Sequence, residues 1–187
     1  ISQSGETMDT LMALRHAKDQ RAKVLSICNT NGSTIPRESD GVLYTHAGPE
    51  VAVASTKAFL TQIVAAYLIG LYISQVRGLK FSDEIRKILE ELQEMPEKIE
   101  RFLETRESIS KLALELKEVE SVLFLGRHVG YPVALEGALK LKELAYLHAE
   151  GYNISALKHG PYAMIETNTP IILLYNQYLC FMIMHFF

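Results

Sequence analysis

Short apolar runs that alternate with helix-patterned segments are the feature of this sequence that most limits its possible folds. Residues 24–28, 42–45 and 122–125 have the length and apolar character of buried parallel strands. Apolar residues at helical spacing precede the first run, and a helix pattern with Pro132 in its first turn follows the third. This alternation predicts an α/β fold built from parallel sheets flanked by helices.

The strand-loop-helix pattern occurs twice, so the sequence predicts two α/β lobes. The first covers residues 1–78 and the second residues 120–187, and charged amphipathic helices predicted within residues 79–119 connect them. Residues 1–5 read as the end of a strand, so we expect the first lobe to lack its N-terminal part and the second its C-terminal part. The apolar tail, residues 179–187, carries no turn signal and no helix cap, and we interpret it as a truncated or misread C-terminus.

The composition argues against several classes of protein. The 19 basic and 22 acidic residues give a net charge of −3 without the basic stripe that binds nucleic acid. Cys28 and Cys180 fit neither a disulfide framework nor a metal-ligand spacing, so we expect no metal, no cofactor and a cytoplasmic location. The longest apolar run, residues 63–73, is too short to span a bilayer, so we predict a helix enclosed by protein and no membrane partner.

Residues 2–7, the sequence Ser-Gln-Ser-Gly-Glu-Thr, place three hydroxyl side chains and a glycine between a predicted strand and a predicted helix. The N-terminus of a helix offers free backbone N–H groups and the positive end of its dipole to an anion. We therefore predict that this segment, the serine loop, binds a phosphate group. Helix capping by Ser and Thr alone is the alternative that the sequence leaves open.

A second hydroxyl-rich segment precedes the longest predicted helix, which runs from about Ser55 to Arg77. Ser55 and Thr56 offer hydroxyl groups to a polar ligand, and Lys57 offers a cation. A helix cap followed by a solvated lysine explains the same pattern, so only its combination with the serine loop favours a binding role.

Glu136, Lys140 and Glu143 share one face of a helix predicted from residue 132 to about residue 148. This spacing fits a solvated ion-pair ladder worth about 0.3–0.5 kcal/mol per pair. It also fits a carboxylate general base with an ammonium group beside it, in which case Glu143 is the base. His159 lies in a predicted Gly/Pro loop, where it is free to act as acid or base, although a lone loop histidine is usually a surface residue.

Five segments in this order resemble the isomerase half of the glutamine–fructose-6-phosphate aminotransferase family. They are residues 2–7, 37–40, 54–59, 135–143 and 158–161, and the likeness runs from residue 1 to about residue 174. The resemblance implies two sugar-isomerase (SIS) lobes, each with a five-stranded parallel sheet, and an active site at the contact of a homodimer. It implies that the intact enzyme converts fructose 6-phosphate and glutamine to glucosamine 6-phosphate and glutamate.

The resemblance also implies roles for individual residues. Val53 and Ser55 would face the sugar. Glu143 would move a proton between C1 and C2, Lys140 would support the developing enediolate, and His159 would open the sugar ring, from the partner subunit. The residues that it implies for the substrate phosphate are Ser2, Gln3, Ser4 and Thr7.

The chain departs from the family pattern in several respects. The glutaminase domain is absent, so we expect it upstream in the full protein, and neither Cys28 nor Cys180 replaces its nucleophile. A further phosphate-contacting serine and a C-terminal lysine are also missing, so we expect the chain alone to be inactive. Ser155-Ala156 stands where the family usually has Gly-Glu. Two rival functions remain, an amino-sugar-phosphate deaminase or deglycase of the same SIS class and a non-catalytic sensor of a sugar phosphate.

Overall fold

The computed structural model describes residues 1–174 and, as backbone only, residues 175 and 180–184. The chain divides into two compact units, Ile1–Lys98 and Ile99–Phe187. The division lies inside residues 79–119, the segment for which connecting helices are predicted. Each unit contains parallel strands with helices packed against them, which confirms the predicted α/β fold class.

The first unit begins with a bridge and continues through alternating helices and strands. Its elements are α1 (Met8–Asp19), β1 (Leu25–Cys28), α2 (Thr34–Glu38), β2 (Gly41–Tyr44), α3 (Lys57–Val76) and α4 (Ser82–Gln93), and α5 (Met95–Leu103) crosses into the second unit. β1 and β2 pair in parallel, and Ser2 forms a parallel bridge to Cys28. Both strands coincide with predicted apolar runs, and their bounds differ from the predicted ones by at most one residue. α2 was not predicted because residues 29–40 are rich in turn formers.

Three apolar side chains join the first two helices. Leu11 and Leu14 of α1 are buried with Ile35 of α2, and Val24 packs against them. Because Ser2, β1 and β2 run in parallel, their carboxyl ends meet at one edge of the sheet. The three loops that follow these strands therefore all start at the same edge.

α3 differs from the enclosed helix that the apolar run 63–73 predicts. Its buried residues are Ala58, Ala65 and Leu71, whereas Ile63 is 48% exposed. The prediction of a protein-enclosed helix is wrong here. α3 contacts β1 and α4 through a narrow stripe of its surface, and many of its other apolar side chains are exposed. By length and composition, α3 is also the one helix in the described residues that is long and apolar enough to cross a membrane, with 11% of its most apolar stretch buried.

The second unit contains a four-stranded sheet. Its elements are α6 (Arg106–Leu116), β3 (Ser121–Gly126), α7 (Gly130–Ala145), β4 (His148–Asn153), β5 (Ile171–Tyr175) and β6 (Cys180–Met184), with 3₁₀-helices at Ile154–His159 and Pro161–Met164. The strand order is β4-β3-β5-β6. β3 pairs in parallel with β4 and β5, whereas β6 is antiparallel to β5. Within the described residues, neither unit has the five-stranded parallel sheet that the resemblance implies.

α7 packs against the sheet through small side chains. A side-chain Cβ at Gly151 of β4 would lie 2.8 Å from the Cα of Leu135, so only glycine allows this close approach of helix and strand. The absence of a side chain there brings the helix backbone directly onto the sheet. The core that results consists of Val122, Phe124, Ala134, Ala138, Ala149 and Leu174.

Two strands of the second unit were not predicted. The helix predicted to about residue 148 ends at Ala145, because Tyr146 adopts a left-handed conformation with φ of 55° and His148 begins β4. β4 is polar and has weak strand propensity, and its pairing with the buried β3 overrides that propensity. β6 lies in the apolar tail, and residues 179 and 185–187 of that tail fall outside the described residues. The strand predicted at residues 170–174 is confirmed as β5.

Candidate functional site

The serine loop is attached to the end of β1 by backbone hydrogen bonds. The Ser2 N–H donates to the Ile27 carbonyl at 3.0 Å, and the Gln3 carbonyl accepts from the N–H groups of Asn29 at 3.3 Å and Thr30 at 3.2 Å. The Thr30 hydroxyl also donates to the Gln3 carbonyl at 3.2 Å. The loop therefore has the carboxyl end of a parallel strand on one side and the N-terminus of α1 on the other.

Inside the loop, two serine oxygens accept hydrogen bonds from the backbone. The Gly5 N–H donates to Ser2 Oγ at 3.0 Å, and the Glu6 N–H donates to Ser4 Oγ at 3.2 Å. Thr7 is the N-cap residue of α1, but its hydroxyl lies 3.2 Å from Ser2 Oγ and makes no capping hydrogen bond. The alternative that Thr7 caps the helix with its side chain is therefore wrong, and the first N–H groups of α1 stay open to an anion.

Gly5 and Glu6 fix the shape of the serine loop. Gly5 has a φ of 69°, and a Cβ there would lie 1.9 Å from Ser33 Oγ and 2.8 Å from Cys28 Sγ. Glu6 accepts a hydrogen bond from the Thr34 N–H at 2.7 Å. The hydrogen bonding from Thr34 lowers the pKa of the Glu6 carboxyl below its ordinary value. The loop is thus held between β1 and the start of α2.

The loop after β2 is anchored to β1 by one side chain. Asn29 Oδ1 accepts from the Thr45 hydroxyl and from the Ala47 N–H, both at 2.9 Å, and Asn29 Nδ2 donates to the Gly48 carbonyl at 2.8 Å. The backbone N–H of Asn29 also donates to the Gln3 carbonyl. One residue therefore links the serine loop to the loop that leads into α3.

Val53 and Ser55 lie in that second loop, just before α3. The Val53 side chain is exposed and Ser55 is half-buried. The Ser55 hydroxyl donates to Glu50, a residue that the sequence analysis did not single out. A carboxylate five residues before a hydroxyl pair at a helix start was the signal that could have identified it.

Glu136, Lys140 and Glu143 lie together on α7, as their spacing predicts. Lys140 Nζ is 2.7 Å from Glu143 Oε2 and 3.4 Å from Glu136 Oε1. The hydrogen bond to Glu143 is the main cause that raises the pKa of Lys140, and the charge of Glu136 adds to it. We call these three residues the carboxylate ladder. Its lysine stays charged at neutral pH and holds both carboxylates in place.

The carboxylate ladder is more shielded from solvent than other ion pairs at helical spacing. Its side chains are 23–32% exposed, whereas those of Lys98–Glu94 and Lys111–Glu107 are 44–84% exposed. Exposed pairs of this kind contribute little, because water screens them. The shielding favours a binding role over a solvated ladder, and the catalytic role of Glu143 stays a prediction.

His159 ends the 3₁₀-helix Ile154–His159 and is exposed. The hydrogen bonds and ion pairs of the described residues do not join it to Lys140 or Glu143. The preceding turn is fixed by Asn153, whose Oδ1 accepts from the Ser155 N–H at 3.1 Å and from the Ser155 hydroxyl at 2.7 Å. The structure therefore places His159 after a hydrogen-bonded turn of the second unit and does not bring it into contact with Glu143.

Two further features carry none of the predicted site residues. A cavity of about 180 Å³ is lined by α3, α4 and the start of α5, through residues such as Tyr67, Leu92 and Met95. On β4, Glu150 accepts a hydrogen bond from the Tyr152 hydroxyl and lies 3.4 Å from His148. Among the side chains of residues 1–174, which the structure describes, no group of three or more from His, Cys, Asp and Glu is placed to hold a metal ion.

Comparison with known proteins adds to this geometry. The sequence model of the SIS domain matches residues 1–72 and 115–177, which include every predicted site residue. Glutamine–fructose-6-phosphate aminotransferases (isomerizing) of Corynebacterium glutamicum and Streptomyces coelicolor are 64% and 67% identical to this chain over 93% and 92% of its length. The chain spans 28% of the length of these curated relatives.

A solved structure shares both the fold and part of the sequence. The C-terminal domain of glucosamine-fructose-6-phosphate aminotransferase from Francisella tularensis is 42% identical and superposes with a TM-score of 0.91. The superposition covers 95% of this chain and 51% of that chain.

Proposed function

Because the chain belongs to the SIS domain family, we propose that it is the sugar-phosphate isomerase part of a glutamine–fructose-6-phosphate aminotransferase. The full enzyme would make glucosamine 6-phosphate from fructose 6-phosphate and glutamine. Relatives at 62–67% identity that carry this name support the assignment. Because the chain spans 28% of their length, the activity is proposed for the full protein that contains it.

The serine loop is proposed to bind the phosphate group of the sugar. Ser4 Oγ accepts a backbone hydrogen bond, so its own proton is left to donate to a phosphate oxygen. Ser2 and Thr7 add a hydroxyl pair, and the N–H groups at the start of α1 add donors and a positive dipole end. Gln3 is held beside them through its carbonyl.

Glu143 is proposed as the base that moves a proton between C1 and C2. Its carboxylate would take a proton from C1 while the electron pair of that C–H bond forms the C1–C2 double bond and the carbonyl π pair moves onto the C2 oxygen, which gives an enediolate. The resulting carboxylic acid would then give the proton to C2, while the C1 hydroxyl proton passes to the C2 oxygen and the C1 oxygen becomes the carbonyl. In the aminotransferase reaction, ammonia would first replace the C2 oxygen as an imine with loss of water, and the imine nitrogen would take the place of the C2 oxygen in this step. Lys140 would stabilise the developing negative charge, because its ammonium group is already held 2.7 Å from Glu143.

The Glu143–Lys140 pair is the observation that carries the enzyme assignment. A sensor of sugar phosphates would need the serine loop but not a shielded carboxylate held by an ammonium group on a separate helix. The deaminase and deglycase alternative uses similar lobe chemistry, and the aminotransferase is preferred because of the identity of the named relatives.

Replacing Glu143 by Gln in the full-length enzyme tests the base directly. The change keeps the shape of the side chain, so we expect sugar-phosphate binding to be retained while C1–C2 proton transfer falls by roughly 10²–10⁴-fold. Solvent-deuterium incorporation at C2 of glucosamine 6-phosphate measures that transfer.

Glu136→Gln is the matched control, because it removes the other carboxylate bound to Lys140. Loss of one such ion pair is worth about 0.3–0.5 kcal/mol, so proton transfer should change less than about threefold. Near-normal exchange in Glu143→Gln, or equal losses in both variants, would remove Glu143 from the mechanism.

His159 is proposed to open the sugar ring in the site of a partner subunit, which makes the functional unit a homodimer. The exposure of His159 and the lack of a described contact to Glu143 or Lys140 support a site in another subunit. Mixing Glu143→Gln and His159→Ala chains tests this, because each mixed dimer of a two-fold enzyme would contain one intact site.

Such mixtures should recover about a quarter of wild-type activity from two inactive parents, since half of the randomly assembled dimers are mixed and each has one of two sites intact. Failure of recovery after proven subunit exchange would assign His159 to its own subunit. A monomeric enzyme would contradict the homodimer.

The remaining partners are also proposals. A glutaminase domain upstream would supply ammonia in the full protein. The protein would be cytoplasmic, and it would bind no nucleic acid, no membrane and no cofactor. α3 does not support a membrane location, because the SIS domain match extends through residue 72 and so includes most of that helix.

A further inference from the structure

Glu50 lies in the loop before α3, and its carboxylate reaches the start of that helix, where it accepts four hydrogen bonds. Its carboxylate accepts from the Thr56 hydroxyl at 2.8 Å, the Ala58 N–H at 2.9 Å, the Thr56 N–H at 3.2 Å and the Ser55 hydroxyl at 3.4 Å. These bonds lower the pKa of the Glu50 carboxyl, and the Thr56 hydroxyl is the largest cause. The side chain is therefore an ionised, accept-only group at neutral pH.

An accept-only partner decides the direction of the hydrogen bonds that the two hydroxyls make. Ser55 and Thr56 must both point their protons at Glu50, because a carboxylate has none to give. Each hydroxyl oxygen can then offer only its lone pairs to a ligand. Lone pairs accept from the hydroxyl groups of a sugar but repel the oxygens of a phosphate.

The serine loop has the opposite arrangement. Ser4 Oγ receives the Glu6 N–H and Ser2 Oγ receives the Gly5 N–H, so backbone donors use the lone pairs of these oxygens. The hydroxyl proton of Ser4 remains for a ligand. Ser2 and Thr7 use one hydroxyl proton in the hydrogen bond between them, and their other proton also remains for a ligand. Chemically similar hydroxyls are thus set as donors in one loop and as acceptors in the other.

From this contrast we propose that Glu50 is a specificity-determining, positioning residue, which acts through Ser55 to make the start of α3 accept hydrogen bonds from sugar hydroxyl groups. The inference rests on the proposed function, since it takes Ser55 to face the sugar. It explains how one ligand is oriented along two hydroxyl-rich loops, with its phosphate at the donor loop and its hydroxyl groups at the acceptor loop.

Kinetics of the full-length enzyme with Glu50→Gln test the proposal. The amide keeps the size of the side chain but presents an N–H₂ group to one of the hydroxyls, so we expect KM for fructose 6-phosphate to rise about tenfold, the effect of one lost charge-assisted hydrogen bond. The inhibition constant of inorganic phosphate, which probes the serine loop alone, should change less than about twofold.

A double-mutant cycle with Ser55→Ala shows whether Glu50 acts through Ser55. In the Ser55→Ala background, Glu50→Gln should add less than about twofold to KM, because the hydroxyl that it orients is gone. An unchanged KM in Glu50→Gln, a parallel loss of phosphate inhibition, or an equal effect in both backgrounds would each overturn the proposal.

Wild-type enzyme with modified sugars decides the matter even if Glu50→Gln does not fold. Fructose 6-phosphate analogues in which single hydroxyls are replaced by fluorine lose a donor and keep weak acceptor character. We expect at least one of them to bind about tenfold more weakly than the parent. Full affinity for all of them would contradict an acceptor loop, whereas a wild-type enzyme that does not bind fructose 6-phosphate would overturn the proposed function itself.

Discussion

The serine loop and the carboxylate ladder place their functional groups by different means. The loop is held by residues far away in sequence, such as Thr34, whose N–H binds the Glu6 carboxylate across 28 positions. The ladder is held by the period of one helix, in which Lys140 reaches Glu143 and Glu136 three and four positions away. The serine loop depends on backbone and tertiary contacts, whereas the carboxylate ladder requires only that α7 is formed.

This difference predicts where the molecule tolerates change. A substitution in the serine loop should disturb the fold of the first unit and the binding of phosphate together. A substitution in the ladder should alter chemistry with little effect on the stability of the second unit, because side chains alone make its contacts.

Gly5→Ala should produce the largest stability effect in this comparison. The new Cβ would lie 1.9 Å from Ser33 Oγ in a backbone conformation with φ of 69°. Left-handed strain and overpacking together predict a loss of about 2–5 kcal/mol in the free energy of unfolding of the first unit. Urea unfolding followed by circular dichroism measures it, together with loss of inhibition by inorganic phosphate.

Two other glycines serve as controls for Gly5→Ala. Gly32 has a φ of 71°, and nothing lies within 4 Å of the position that a Cβ would take, so Gly32→Ala should cost only the strain of about 1–2 kcal/mol. Gly70 lies in α3 with open space around it, and Gly70→Ala should stabilise by about 1 kcal/mol. If Gly5→Ala costs no more than Gly32→Ala, the packing of the serine loop against Ser33 is not what fixes it.

The pH dependence of stability should differ in sign between the two units. A carboxyl group with a lowered pKa stabilises the fold above its ordinary pKa, and this stability is lost as the pH falls through the lowered value. A lysine with a raised pKa stabilises below its ordinary value of 10.5, and this stability is lost as the pH rises through the raised value, as for Lys140. The carboxyl groups with lowered pKa in the first unit are Glu6, Glu38, Asp40 and Glu50.

We therefore expect the first unit to lose protection below about pH 4 and the second unit to lose it above about pH 10, by the directions of these shifts. Amide hydrogen exchange, corrected for the intrinsic rate and resolved by peptide, separates the two units. Asp40→Asn should reduce the acid sensitivity, because Asp40 accepts the Val24 N–H at 2.9 Å. An identical pH response of both units would refute the comparison.

The sequence predicted the elements whose signals are local. The strands near residues 24–28 and 122–125 appear because apolar runs of that length are buried between helices. The ladder appears because helical spacing brings its side chains together. The domain limits and the roles of the site residues stay predictions, because those roles concern contacts with a substrate and with a partner subunit.

Features that depend on neighbours in space could not be predicted from the sequence. β4 is polar and becomes a strand because β3 offers its edge. Glu50 precedes the Ser55–Thr56 hydroxyl pair in the sequence, but its contact with the start of α3 follows from the return of the loop onto that helix. The prediction that α3 is enclosed by protein is wrong. An apolar run indicates that burial would be favourable, but it does not indicate whether another part of the chain covers it.

The sequence by itself determined the alternation of strands and helices, the presence of a hydroxyl-rich loop at a helix start, and the grouping of two carboxylates with one lysine. Only the tertiary structure decided that Gly5 must be a glycine, that the Thr7 side chain makes no capping hydrogen bond to α1, and that the hydroxyl groups of Ser55 and Thr56 donate to Glu50. The reason is physical. Local periodicity sets which residues share a face, whereas the direction of a hydroxyl proton depends on the acceptor that the folded chain brings beside it.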